Sequence, residues 1–149
     1  MRKARCCAFW AAVWLTPTLA LAQTPPGVGV RAGLSIDPDQ FFFGGHVETR
    51  PLVDRLTFRP NAEIGVGDDF TLLTFNIEFA YWVPLRNRDW RLYFGGGPAL
   101  VIAAGDGDDV GGGFNILVGA EARRRLFFEF KVGFADSPDV KFTVGYTFR

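Results

Sequence analysis

The chain has 149 residues, no formal net charge, 18 glycines and 16 phenylalanines. This charge balance argues against a nucleic-acid-binding surface, and the glycine and phenylalanine content disfavours a helical protein. Both cysteines, Cys6 and Cys7, lie at the extreme N-terminus, so the rest of the chain carries neither disulfide nor thiol chemistry.

The elements run in chain order as follows. Arg2, Lys3 and Arg5 precede an almost wholly apolar stretch, Cys6 to Leu21, and Ala20-Leu21-Ala22 is a small-x-small site. That is the layout of a secretory signal peptide covering 1–22, cut after Ala22, with a mature domain of 23–149. The stretch is short for a membrane-spanning helix. Turn signals then divide the mature chain into eight predicted strands: 27–36, 41–49, 56–67, 70–83, 90–103, 112–121, 126–134 and 140–149. Many short strands with no helical interval indicate a meander, closed as a barrel or stacked as a sandwich. Pro60 and Pro98 fall inside predicted strands, where bulges are the usual accommodation. Gly95-Gly96-Gly97 and Gly111-Gly112-Gly113 lack the lysine and the strand-turn-helix setting of a phosphate loop; they fit relief of curvature or crowding.

The strands alternate with period two. One face carries bulky apolar residues, for example Val28, Val30, Leu34, Phe75, Ile77, Phe79, Phe94, Ile116, Phe128 and Phe130. The other carries glycine, asparagine, threonine and charge: Arg31, Arg59, Arg91, Lys131 and Lys141 against Glu48, Glu63, Glu78, Glu121 and Glu129, together with His46. An eight-strand barrel has an interior just wide enough for side chains to fill. The small and charged face suits that interior, and the bulky face then needs an apolar solvent. The predicted fold is therefore all-β, a transmembrane eight-stranded antiparallel up-and-down β-barrel, closed because hydrocarbon tolerates no unpaired backbone. A soluble lipocalin-like barrel is disfavoured by the bulky outward face. The equal count of interior acids and bases predicts a salt-bridged plug; the alternative is a narrow path for ions or small solutes.

Charge also sorts the connections. Those near 37–40, 68–69, 104–111 and 135–139 hold nine of the eleven aspartates and no base. Those near 50–55, 84–89 and 122–125 hold Arg50, Arg55, Arg86, Arg88, Arg123, Arg124 and Arg125 beside Asp54 and Asp89. Aspartate suits solvated turns. The alternative role is divalent-cation binding, with Asp106, Asp108 and Asp109 as candidates, although the spacing of a calcium loop is missing.

With the signal sequence, the eight amphipathic strands and the terminal "VGYTFR" in view, the chain resembles the small outer-membrane β-barrel proteins of Gram-negative bacteria, of the OmpA-like and OmpX-like kind. The resemblance implies an outer-membrane location with both termini in the periplasm. It also implies contact with outer-membrane lipid and lipopolysaccharide, and recognition by the barrel-assembly machinery through Phe142, Tyr146 and Phe148. A monomer with a structural or surface-interaction role, no cofactor and no nucleic-acid partner is expected. Some small barrels modify lipid acyl chains, and Ser35, His46 and Glu48 share the inward phase, so a Ser35–His46–Glu48 hydrolase site is a third possibility; none of the motifs of those enzymes is present.

Overall fold

The computed structural model of the chain describes residues 26–67, 70–86, 89–105 and 109–149. The signal peptide read over 1–22, Asp68 and Asp69, Arg88, and Asp106 and Asp108 lie outside those residues.

Ten strand segments build the fold: β1 (Gly27–Ile36), β2 (Gln40–Glu48), β3 (Leu56–Phe58), β4 (Asn61–Val66), β5 (Thr71–Asn76), β6 (Phe79–Trp82), β7 (Trp90–Ala104), β8 (Asp109–Ala122), β9 (Leu126–Ala135) and β10 (Val140–Phe148). They form eight staves, because β3 and β4 share one stave and β5 and β6 share the next. All neighbours are antiparallel, and β1 pairs with β10 from Val28↔Phe148 to Ile36↔Val140, which closes the ring. The predicted strands match the staves to within a residue or two, except that β8 starts at Asp109 rather than 112. The connection before it is correspondingly shorter than the predicted 104–111.

The two interruptions have a proline as their cause. The carbonyl of Pro98 accepts a hydrogen bond from Ile77 N at 2.9 Å, but proline has no N–H to return to Ile77. The ladder therefore lapses between β5 and β6. Pro60 does the same between β3 and β4, accepting from Val47 N at 3.0 Å. Neither proline adds a residue: the register set by Asn61↔Asn76 continues unchanged at Phe58↔Phe79. The bulges foreseen at Pro60 and Pro98 are thus gaps in the ladder, without the extra residue a bulge requires.

Register fixes the width of the barrel. Stepping across the pairings from Ile36 through Val140, Val132, Ile116, Gly96, Phe79, Phe58 and Thr49 returns the path to β1 at Pro26, ten residues below its start. A stagger of ten over eight staves tilts the strands by about 40° and leaves a narrow interior.

The outer wall is apolar. Val28, Leu34, Phe41, Phe94, Ile116, Phe142 and Phe148 are among 31 large hydrophobic residues exposed on the described surface. Polar and charged side chains dominate the buried set instead. The outward phase is not the whole apolar inventory, however. Phe42, Tyr93 and Phe127 point inward and are essentially inaccessible. Each lies directly across the ladder from a glycine: Gly33↔Phe42, Tyr93↔Gly119 and Gly145↔Phe127. His46 likewise faces Gly29. A Cβ on Gly33, Gly119, Gly145 or Gly29 would stand 2.8, 2.2, 2.3 or 2.2 Å from the ring opposite. These glycines give the rings room to lie flat on the inner wall.

This predicts a sharp contrast between two glycines. Gly119→Ala drives a methyl into the Tyr93 ring and should cost about 1–3 kcal/mol, as overpacking does. Gly45 is exposed on the outer wall, and a Cβ there meets only Gly29 O at 3.5 Å. Gly45→Ala should change stability by less than about 0.5 kcal/mol. Urea unfolding midpoints of the two variants in the same detergent or lipid check this.

Candidate functional site: the charged interior

The inward positions of the staves converge on one connected set of ion pairs. Toward the aspartate-bearing end, Lys141 Nζ on β10 donates to Glu63 Oε2 on β4 at 2.5 Å, and Arg31 Nη1 on β1 donates to Glu63 Oε1 at 3.1 Å. At mid-height Lys131 Nζ on β9 donates to Glu78 Oε1 at 2.5 Å and stands 3.7 Å from both Glu63 and Glu129. Glu129 is the hub. Its carboxylate meets Arg31 at 3.4 Å and Arg59 at 3.3 Å, and accepts the Tyr93 hydroxyl at 2.9 Å. Arg59 Nε continues the chain to Glu48 Oε2 at 3.5 Å. Glu48 pairs with Arg149, Arg149 lies 3.9 Å from Glu121, and Glu121 pairs with Arg91. All five glutamates of the chain are in this network, while the described aspartates lie at or beside the connections.

Each inward ring sits between a wall glycine and a cation. Lys141 Nζ lies 4.6 Å from the centre of the Phe42 ring. The Arg59 guanidinium covers Tyr93 at 4.6 Å and Phe127 at 5.3 Å, and that of Arg31 approaches Phe127 at 5.6 Å. From wall to axis the order is therefore glycine, aromatic ring, cation, carboxylate. Desolvated cations over ring faces are stabilised by the ring quadrupole, and the carboxylates satisfy part of their hydrogen bonding; Nε and Nη2 of both Arg31 and Arg59 are buried with no hydrogen-bond partner among the described residues.

A neutral ladder completes the filling. Asn115 Nδ2 donates to Asn76 Oδ1, Asn76 Nδ2 to Asn61 Oδ1, and Asn61 Nδ2 to Glu78 Oε2, each at 2.7 Å. It spans from β8 to β4 past Gly97 on β7, which pairs with Asn115 and carries no side chain. One amide donates and accepts at each step, so the run ends naturally on a carboxylate.

The sequence-derived residues are distributed as follows. Arg31, Glu48, Arg59, Glu63, Glu78, Glu121, Glu129, Lys131 and Lys141 are buried. Arg91 shares their phase but sits at the mouth: its side chain is 49 % exposed and its guanidinium lies 4.3 Å over the Trp82 ring. The expectation of an interior Arg91 is thus corrected, because its place near the start of β7 puts it at the rim. His46 does not join the ion pairs; its Nε2 is 3.0 Å from Thr147 Oγ1 and its ring meets Phe127 edge-on. Ser35 is far from it. His46 pairs with Gly29 on β1, six residues from Ser35, a separation of about 20 Å along the strand. The Ser35 hydroxyl is spent on the carbonyls of Pro38 and Gln40. Ser35, His46 and Glu48 therefore form no site. Asp109 is exposed and caps its neighbour, Val110 N, at 2.9 Å. Among the described residues no cluster of metal-ligating side chains is present. Phe142, Tyr146 and Phe148 all face outward, with Phe142 against Phe130 and Tyr146 against Phe148.

Four members were missed by pattern reading. Tyr93, Phe42 and Phe127 occupy the polar phase of their strands, a signal visible as an aromatic among inward small and charged positions. Arg149 continues the inward phase of Lys141, Thr143 and Thr147, a signal that its place as the last residue of the predicted strand obscures.

Neither protein-family models nor the curated proteins give a match to this sequence. Solved structures do. The N-terminal β-barrel domain of Pseudomonas aeruginosa OprF matches with a TM-score of 0.57 and 13 % identity, over 83 % of this chain and 96 % of that one. The chain thus shares the β-barrel fold of that domain. At this identity the likeness carries the architecture alone; the interior contacts described above belong to this chain.

The hub should be the costliest single loss. Among the described residues, Glu129→Ala leaves Arg31 with Glu63 alone and Arg59 with Glu48 alone, removes the acceptor of the Tyr93 hydroxyl, and should destabilise the barrel by about 3–5 kcal/mol. Arg91→Ala removes a half-exposed partner and should cost about 1 kcal/mol or less. Equal losses from the two variants in urea titrations would contradict the hub assignment.

Proposed function

We propose that this chain is an outer-membrane barrel with a structural or surface-interaction role, whose interior is a plug and not a conducting path. Residues 1–22 deliver it as a signal peptide removed after Ala22. Phe142, Tyr146 and Phe148 present the closing strand to the barrel-assembly machinery. The arginine-bearing end, where β1 begins and β10 finishes, lies in the periplasm. The aspartate-bearing end then faces the cell exterior and lipopolysaccharide. The barrel works as a monomer.

The observation that carries this reading is the unbroken ion-pair network from Lys141 to Arg91. Buried charges hold one another because separating them is costly, so a solute would have to displace several pairs at once. The aspartate end carries a second obstruction. Leu72, Ala99 and Val101 form a buried apolar cluster there, with Phe70 and Ala103 packed against it. An apolar constriction excludes water and ions. The separation of Ser35 from His46 speaks against a hydrolase on the residues the sequence offered.

Two measurements check the reading. In planar bilayers the protein should show no large, steady conductance; a steady current would replace the plug with the channel. On intact cells, Asp139→Cys should react with an impermeant thiol reagent and Arg124→Cys should not. The reverse pattern would invert the orientation.

A further inference from the structure

The connections at the arginine end do more than turn the chain. Exposed arginines stand on each of the three connections there: Arg55 between β2 and β3, Arg86 between β6 and β7, and Arg123 and Arg124 between β8 and β9. Exposed apolar residues accompany them at the same level, with Val53 at 69 %, Leu85 at 44 % and Trp90 at 40 % accessibility. Arg55 and Arg125 occupy left-handed backbone, φ 63° and 69°, where glycine or asparagine would sit at less cost. At the opposite end the described connections carry aspartate and no base.

We propose that this end is a collar for anionic phospholipid headgroups of the phosphatidylglycerol class, in the leaflet that meets it. The inference rests on the membrane-spanning reading above. A guanidinium matches a phosphate with two parallel donors, and tryptophan and arginine anchor proteins at the boundary between headgroups and acyl chains. The arrangement favours lipid over an acidic protein domain. The arginines are spread around the ring, and apolar residues beside them extend the apolar wall. A single protein partner would cover one sector, whereas a leaflet surrounds the whole circumference.

The chain supplies its own reporter: of the two tryptophans after residue 22, Trp90 lies on the outer wall at this end beside Phe128, whereas Trp82 faces the bore and donates to Thr57. The barrel purified from membranes is reconstituted in phosphatidylcholine bilayers containing a minority of phosphatidylglycerol. One of the two lipids carries brominated acyl chains, and quenching of tryptophan fluorescence reads which lipid is adjacent. The collar predicts phosphatidylglycerol enriched about fivefold next to Trp90 over its bulk share, as expected for roughly one arginine's attraction per lipid. The enrichment should vanish in high salt and in the triple variant R86Q/R123Q/R124Q, whose folding is verified by unchanged heat-modifiable gel mobility. Quenching that follows bulk composition, or enrichment that survives the triple variant, overturns the collar while leaving the barrel in the bilayer. Absence of quenching by either brominated lipid overturns the membrane-spanning reading itself.

Discussion

The volume inside the ring is the constraint on which the rest of this structure depends. Eight staves with a stagger of ten leave a bore that side chains must fill completely. Bulky apolar residues cannot do so here, since the alternation of the strands assigns most of them to the outer wall. The chain fills the bore in layers instead. Glycine thins the wall at Gly33, Gly119 and Gly145, a ring lies on each, and lysine or arginine lies over the rings. Glutamates then neutralise the cations near the axis. Each layer requires the one beneath it, so the glycine content and the interior charge are two aspects of one packing solution.

The two acidic residue types divide the work. Glutamate has the reach to cross from one stave to an arginine or lysine on a distant one, as Glu63 does to Lys141 and Arg31. Aspartate, short and prone to bond nearby backbone, sits at or beside the connections, where Asp109 at the start of β8 and Asp136 hold Val110 N and Gly112 N. Arginine divides as well. Arg31 and Arg59 are buried in the network, whereas Arg55, Arg86, Arg123 and Arg124 remain in contact with solvent. The barrel is thus polar along its axis, apolar around its girth and oppositely charged at its two ends.

Much of this was legible before any coordinates. Period-two alternation located the eight staves and separated Glu63 from Ile64 or Glu129 from Phe130, because a strand exposes its two faces by parity alone. Parity does not report height, however. Ser35 and His46 share a face and lie at opposite ends of the bore; Arg91 shares a face with Glu129 and lies at its rim. Height depends on register, which is set by pairing between strands far apart in sequence. The inward aromatics are a related case: parity places Phe127 inside with Glu129 and Lys131, but the room for its ring comes from Gly145, its partner across the ladder. The asparagine ladder needs three registers at once, from β4 to β8.

The central claim is that the interior charges act as mutually dependent pairs that hold the bore closed. A double-mutant cycle on Lys131 and Glu78, buried neighbours 2.5 Å apart, tests it most directly. Stability is measured in lipid for Lys131→Met, Glu78→Gln and the double variant. The account predicts a coupling in the upper part of the range of about 0.5–3 kcal/mol found for contacting groups, with the double variant well above the sum of the single losses in stability. Losses that add to within about 0.5 kcal/mol would contradict it, and would mean that each charge in the bore is solvated independently of the other.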